Sequence, residues 1–195
     1  MGTIDRGFKS WAERTSLAIR AELGITVLDP LDPLQLARFL EVDVCTPHGI
    51  PGLPQAICTQ LLDCDPWGWS AISLLLPNGH GLLIYNPRNS KGRRASDITH
   101  ELAHFLLDHK PATLILSTDG SLAMRTFDEK QEGEANWLAW SLLLPRDALL
   151  RARRDGRTVP QIAKSYQVTE ALATFRINVS GVDFQLQARK KRRTS

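Results

Sequence analysis

The chain has 195 residues, 43% hydrophobic and 23% charged, with a formal net charge of +3; this size supports one domain, or one domain with a small appendage, around a real core. The composition excludes wholesale disorder, and no apolar run approaches the ~18 residues of a membrane span. The charge is uneven, since from Arg146 onward about 12 Arg and Lys face about 4 Asp and Glu, which leaves the remainder acidic.

The first residues, MGTIDRGFKSWAERTS, lack the apolar stretch and small-residue cleavage site of a secretory signal, so a cytoplasmic location is expected. Phe8, Trp11, Leu17, Ala18 and Ala21 fall near helical spacing before Gly24, which predicts a first helix. Asp32-Pro33 opens a short second helix, with Asp as cap and Pro in the first turn. VDVC (42–45) reads as a brief strand and QAICTQLL (55–62) as a third helix. Cys45, Cys58 and Cys64 form no CxxC pair; they point to neither a disulfide framework nor a cysteine zinc site and are read as packing residues. WSAISLLLP and GHGLLIYNP predict two strands joined through Asn78-Gly79, within a small, mainly antiparallel sheet.

DITHELAHFLLDH (97–109) follows. Ile98, Leu102, Phe105 and Leu106 line one helical face, leaving His100, Glu101 and His104 on another. Histidines one turn apart can reach a single ion, and zinc suits them; Glu101, about 100° around the helix, is placed as a base that deprotonates a water. Such a site favours amide hydrolysis. Asp97 is read as capping this helix, or alternatively as tuning the hydrogen bonds behind His100.

A third ligand is needed. The metzincin spacing would put Gly and His at Leu107 and Lys110, with His109 one place short, so that arrangement is disfavoured. After a mostly irregular connection (110–128), EKQEGEANWLAWSLLL resumes helical periodicity and stops before Pro145. It offers Glu129, Glu132 and Glu134, of which Glu132 is favoured because Asn136, one turn later, can hydrogen-bond the far nitrogen of a ligating histidine. Trp137 and Trp140 are read as core. Donors for the transition state are sought among Tyr85, His80 and His109, with Asn86 nearby; the GLLIYN strand, with Tyr85 and Asn86, is also a candidate edge for an extended substrate.

LLIYNPRNSKGRRASDITHELAHFLLDH followed by EGEANWLAWSLLLP resembles the ImmA/IrrE family of zinc metallopeptidases, as does AELG near the start. The resemblance implies an α+β, zincin-like fold, one zinc ion on His100, His104 and Glu132, Glu101 as general base, and a helix-turn-helix repressor as protein substrate. Ala103 and Asp97 depart from residues frequent in the family.

Beyond Pro145 the segment 159–178 has the cadence of a helix-turn-helix, read as a structural subdomain (146–181) beside a peptidase domain (1–145) and ahead of a basic tail (182–195). DNA contact through Thr174, Arg176 and Asn178 is the competing reading. The absence of a Walker-type glycine loop excludes nucleotide hydrolysis of that class. A non-catalytic repressor- or DNA-binding regulator on the same fold is the alternative function.

Overall fold

The computed structural model describes residues 4–109, 114–116, 123–125 and 128–194. Helix α1 (Phe8–Glu22) is followed by α2 (Pro33–Phe39), where the Asp32 carboxylate accepts from the Leu34 N–H at 3.0 Å, the expected cap. Strand β1 (Val42–Cys45) leads to α3 (Gln55–Thr59), which continues into a wider π-type turn over Gln60–Cys64. Strands β2 (Ala71–Leu75) and β3 (Gly81–Tyr85) form the predicted hairpin, with Gly79 at φ 84° in its loop.

The sheet order is β1-β3-β2, with β3 parallel to β1 and antiparallel to β2. Beyond it lie α4 (Lys91–Leu106), the antiparallel ribbon of β4 (Leu114–Leu116) and β5 (Ala123–Arg125), and α5 (Glu129–Leu143). The architecture is therefore α+β and mostly helical, and its three-stranded sheet is mixed. The rest of the connection read as irregular lies outside the described residues.

Helices α4 and α5 pack extensively on each other, and α1 covers α5. Leu102, Leu138, Leu142 and Leu143 are fully buried between these elements and fix the roll of both helices. A close approach seats α4 on the sheet: a Cβ at Gly81 would lie 2.9 Å from the Phe105 ring, so β3 meets the helix where only glycine fits.

Helices α6 (Arg146–Arg154), α7 (Val159–Tyr166), α8 (Glu170–Ser180) and α9 (Val182–Thr194) complete the chain. The α7–α8 turn has Gln167 in the left-handed region at φ 56°, as a helix-turn-helix bend requires. The DNA reading loses its main cation here, because Arg176 is fully buried, donating to the Leu144 carbonyl at 2.9 Å and to Glu13 at 2.6 Å. Helix α9 is anchored at its first turn, where Val182 is buried and Asp183 pairs with Arg153 at 2.8 Å, while Arg189, Lys191 and Arg192 near its end are exposed. Cys58 packs as expected, but Cys64 is exposed, and all three cysteines are free. Among the described residues no helix is long and apolar enough to cross a membrane.

Candidate metal centre

Helix α4 starts where the Ser90 hydroxyl accepts from the Arg93 N–H at 3.3 Å. Ser90, not Asp97, is the cap; Asp97 lies within the helix, where its carboxylate takes Arg93 Nε at 2.9 Å and Asn89 Nδ2 at 3.2 Å. Burial pushes the Asp97 carboxyl above the usual carboxylate range, opposed chiefly by Arg93. Helix α5 starts at Asp128, whose side chain accepts from the N–H groups of Lys130 (2.9 Å) and Gln131 (3.2 Å), and this places Glu132 in its first turn.

With both helices fixed by their buried faces, three side chains converge. His100 Nε2 lies 3.1 Å from Glu132 Oε2, His104 Nε2 lies 3.7 Å from Glu132 Oε1, and the two Nε2 atoms are 3.2 Å apart. Four-coordinate zinc with donors about 2.0–2.1 Å away separates its ligand atoms by about 3.3 Å. The observed spacings bracket that value, so His100, His104 and Glu132 can hold one metal ion. Of the three acids considered for this role, Glu132 is the one that faces the histidine pair, while Glu134 faces His109 at 3.4 Å.

Glu101 is only 5% exposed, and the Ser73 hydroxyl on β2 donates to its Oε2. Ser73 carries no local sequence signal, because what brings it to Glu101 is the packing of β2 under α4. A cleft of about 540 Å³ opens over the site, lined by Ser70 and Ala71, by Thr169 and Ala171 at the start of α8, and by Asn136 and Trp140. Trp140 is thus part of the cleft wall, stacked edge-on against Phe175 with ring centroids 4.6 Å apart, whereas Trp137 is core.

Tyr85 ends the central strand and Asn86 follows it, so neither lies on an edge strand of the sheet. β3 is the central strand, paired with β1 from Gly81 to Ile84 and with β2 from Gly81 to Tyr85; Tyr85 pairs with Ala71, and the Asn86 N–H bonds the Ser70 carbonyl at 2.8 Å. The fully buried Asn86 side chain instead ties down the preceding loop, donating to the Pro66 and Trp69 carbonyls at 2.6 and 3.2 Å. The far nitrogen of His104 is met by His109, where the sequence suggests Asn136: the two Nδ1 atoms are 3.0 Å apart. His100 differs, for its Nδ1 is buried with no hydrogen-bond partner among the described residues. Burial holds His109 below the usual histidine range, opposed by the neighbouring Glu134 carboxylate.

A helix bearing two converging histidines and a buried glutamate, set against a second helix that supplies a carboxylate, is the arrangement of a metallopeptidase-type site. Residues 67–178 match the family model Peptidase_M78, described as IrrE N-terminal-like domain. The chain belongs to this family. Its fold is similar to that of a Mycobacterium tuberculosis transcriptional regulator, with a TM-score of 0.52 and 18% sequence identity over 89% of this chain and 47% of that one. The chain thus spans less than half the length of that protein. No curated protein matches it.

Proposed function

We propose that the protein is a zinc-dependent endopeptidase that cleaves a helix-turn-helix transcriptional repressor in the cytoplasm. The observation that carries this reading is the convergence of the two Nε2 atoms and the Glu132 carboxylate within 3.1–3.7 Å of one another, beside a buried Glu101. His100, His104 and Glu132 are read as the ligands, and bound zinc would polarise the scissile carbonyl and bring the pKa of a water towards neutrality. Glu101 takes the proton of the attacking water as the water oxygen bonds to the carbonyl carbon, and then passes that proton to the amine nitrogen, whose C–N bond breaks as the carbonyl re-forms. Ser73 holds one oxygen of Glu101 and leaves the other to face the water. The substrate enters extended along β2, whose outer edge carries no strand among the described residues and whose Ala71 borders the cleft.

Residues 1–145 are read as the peptidase domain and 146–181 as a helix-turn-helix-like subdomain that walls its cleft, with the basic α9 segment (182–195) beyond it. A second reading, a non-catalytic regulator that sequesters a repressor, draws on the likeness to a protein named as a transcriptional regulator. Incubating the zinc-loaded protein and Glu101→Gln with a repressor encoded beside its gene separates the two readings by mass spectrometry. Defined fragments from wild type alone, at equal zinc content, support the peptidase. Relief of repression by both variants without fragments supports sequestration.

A further inference from the structure

The C-terminus of α4 closes in a Schellman motif: the His109 N–H bonds the His104 carbonyl at 3.0 Å, the Asp108 N–H bonds the Phe105 carbonyl at 3.2 Å, and Asp108 takes φ 49° between them. The reversal folds His109 back over His104, where an apolar contact commonly forms in such motifs. Here two imidazoles meet instead, Nδ1 to Nδ1 at 3.0 Å, and His109 Nε2 points to Glu134 Oε2 at 3.4 Å. His109 and Glu134 side chains are 8% and 14% exposed, so water does not readily substitute for either partner.

We infer that His109 and Glu134 are positioning residues that fix the proton of His104 on Nδ1 and so reserve its Nε2 lone pair for the metal; the inference rests on the zinc reading above. The polarity of the chain decides it. A neutral imidazole has one donor and one acceptor nitrogen. If His104 donates through Nδ1, His109 accepts through Nδ1 and carries its own proton on Nε2, facing a carboxylate that can only accept. If the direction is reversed, the His104 proton sits on Nε2, among the groups that face the metal position, and His109 turns a lone pair towards Glu134. The first direction gives the Glu134 carboxylate a donor and turns the His104 Nε2 lone pair, 3.2 Å from His100 Nε2 and 3.7 Å from Glu132 Oε1, to the position a cation would fill. His100, whose Nδ1 meets no such support, makes the two histidines unequal: His104 is set before the ion arrives.

Full-length wild type, His109→Ala, His109→Gln and Glu134→Gln are stripped of metal and titrated with zinc against a chromophoric chelator, with thermal melting as a control for folding. The expected result is an affinity about 10- to 100-fold weaker for His109→Ala, a smaller loss for Glu134→Gln, and partial recovery for His109→Gln, whose amide oxygen can accept from His104. Nitrogen–proton correlation spectra of the metal-free wild type at about pH 8, where imidazoles are neutral, should place the protons on Nδ1 of His104 and Nε2 of His109. Unchanged zinc affinity in folded His109→Ala, or the opposite tautomers, overturns the inference; if His109→Ala does not fold, Glu134→Gln and the spectra decide. A wild type that takes up no zinc overturns the metal reading instead, and the tautomers still report on the support.

Discussion

Gly92 offers a case in which two ordinary effects have opposite signs. It sits in the first turn of α4, and replacing a helical glycine with alanine normally stabilises by up to about 1 kcal/mol. A Cβ at this position, however, would lie 2.8 Å from both the Thr169 nitrogen and the Val168 carbonyl carbon. These are backbone atoms in the α7–α8 turn and cannot swing away as a side-chain tip can. Restoring an ordinary contact of about 3.5 Å requires a retreat of roughly 0.7 Å by one element, and overpacking of this kind costs about 1–3 kcal/mol. The steric term wins, so Gly92→Ala should destabilise by about 1–2 kcal/mol, which for a chain of this size lowers Tm by roughly 3–6 °C. Urea unfolding at fixed metal content measures it. A Gly92→Ala protein that is more stable than wild type would refute the close seating of the helix-turn-helix-like turn on α4, and with it the cleft wall formed by Thr169 and Ala171.

Arg176→Met removes the donor to the Leu144 carbonyl and the partner of Glu13, and should cost about 3 kcal/mol in chemical denaturation; a loss within about 0.5 kcal/mol would show that the buried cation is dispensable. Asp128 is held below the usual carboxylate range by the backbone N–H groups of Gln131 and Lys130. Its contribution is complete above the unfolded pKa of about 3.9 and fades as pH falls through the lower folded value. The Tm gap between wild type and Asp128→Ala should therefore be wide at neutral pH and close in strong acid, and a gap that widens in acid would contradict this. Ser73→Ala should leave zinc content unchanged and reduce peptide turnover about tenfold, the loss of one charge-assisted hydrogen bond; loss of metal instead would mean that Ser73 supports the ligands.

The parts of the fold written in short-range chemistry were legible from the sequence. The Asp32 cap, the Asn78-Gly79 hairpin, the apolar back of α4 and the limits of α5 each depend on residues a few positions apart, which a pattern can expose. The candidate site is legible in part: His100, Glu101 and His104 share one helix, and Glu132 is singled out by Asn136 one turn later, although His109 and not Asn136 meets the far nitrogen of His104. Contacts between distant segments were not. Nothing in VDVC indicates that β1 pairs in parallel with β3, so from the sequence β3 reads as an available edge, whereas Tyr85 ends the central strand and Asn86 anchors the loop before β2. Arg176 looked like a recognition-helix cation because only the folded chain shows that it points inward. Ser90, seven residues before Asp97, is the cap, and Cys64 lies on the surface, in the turn where its helix widens.

Two arginines close the end of α5 that lies farthest from the histidines. Arg20 donates to the Leu142 carbonyl at 2.7 Å and Arg176 to that of Leu144, reaching the same terminus from α1 and α8. About 18 Å of helix, at 1.5 Å per residue, separates this clamp from Glu132. The clamp ties down the C-terminal end of a helix whose buried faces already set its roll, and together they position the Glu132 carboxylate. Changes around Glu13 or Arg20 would then act on the placement of Glu132 while the three candidate ligands stay chemically intact, far from the cleft.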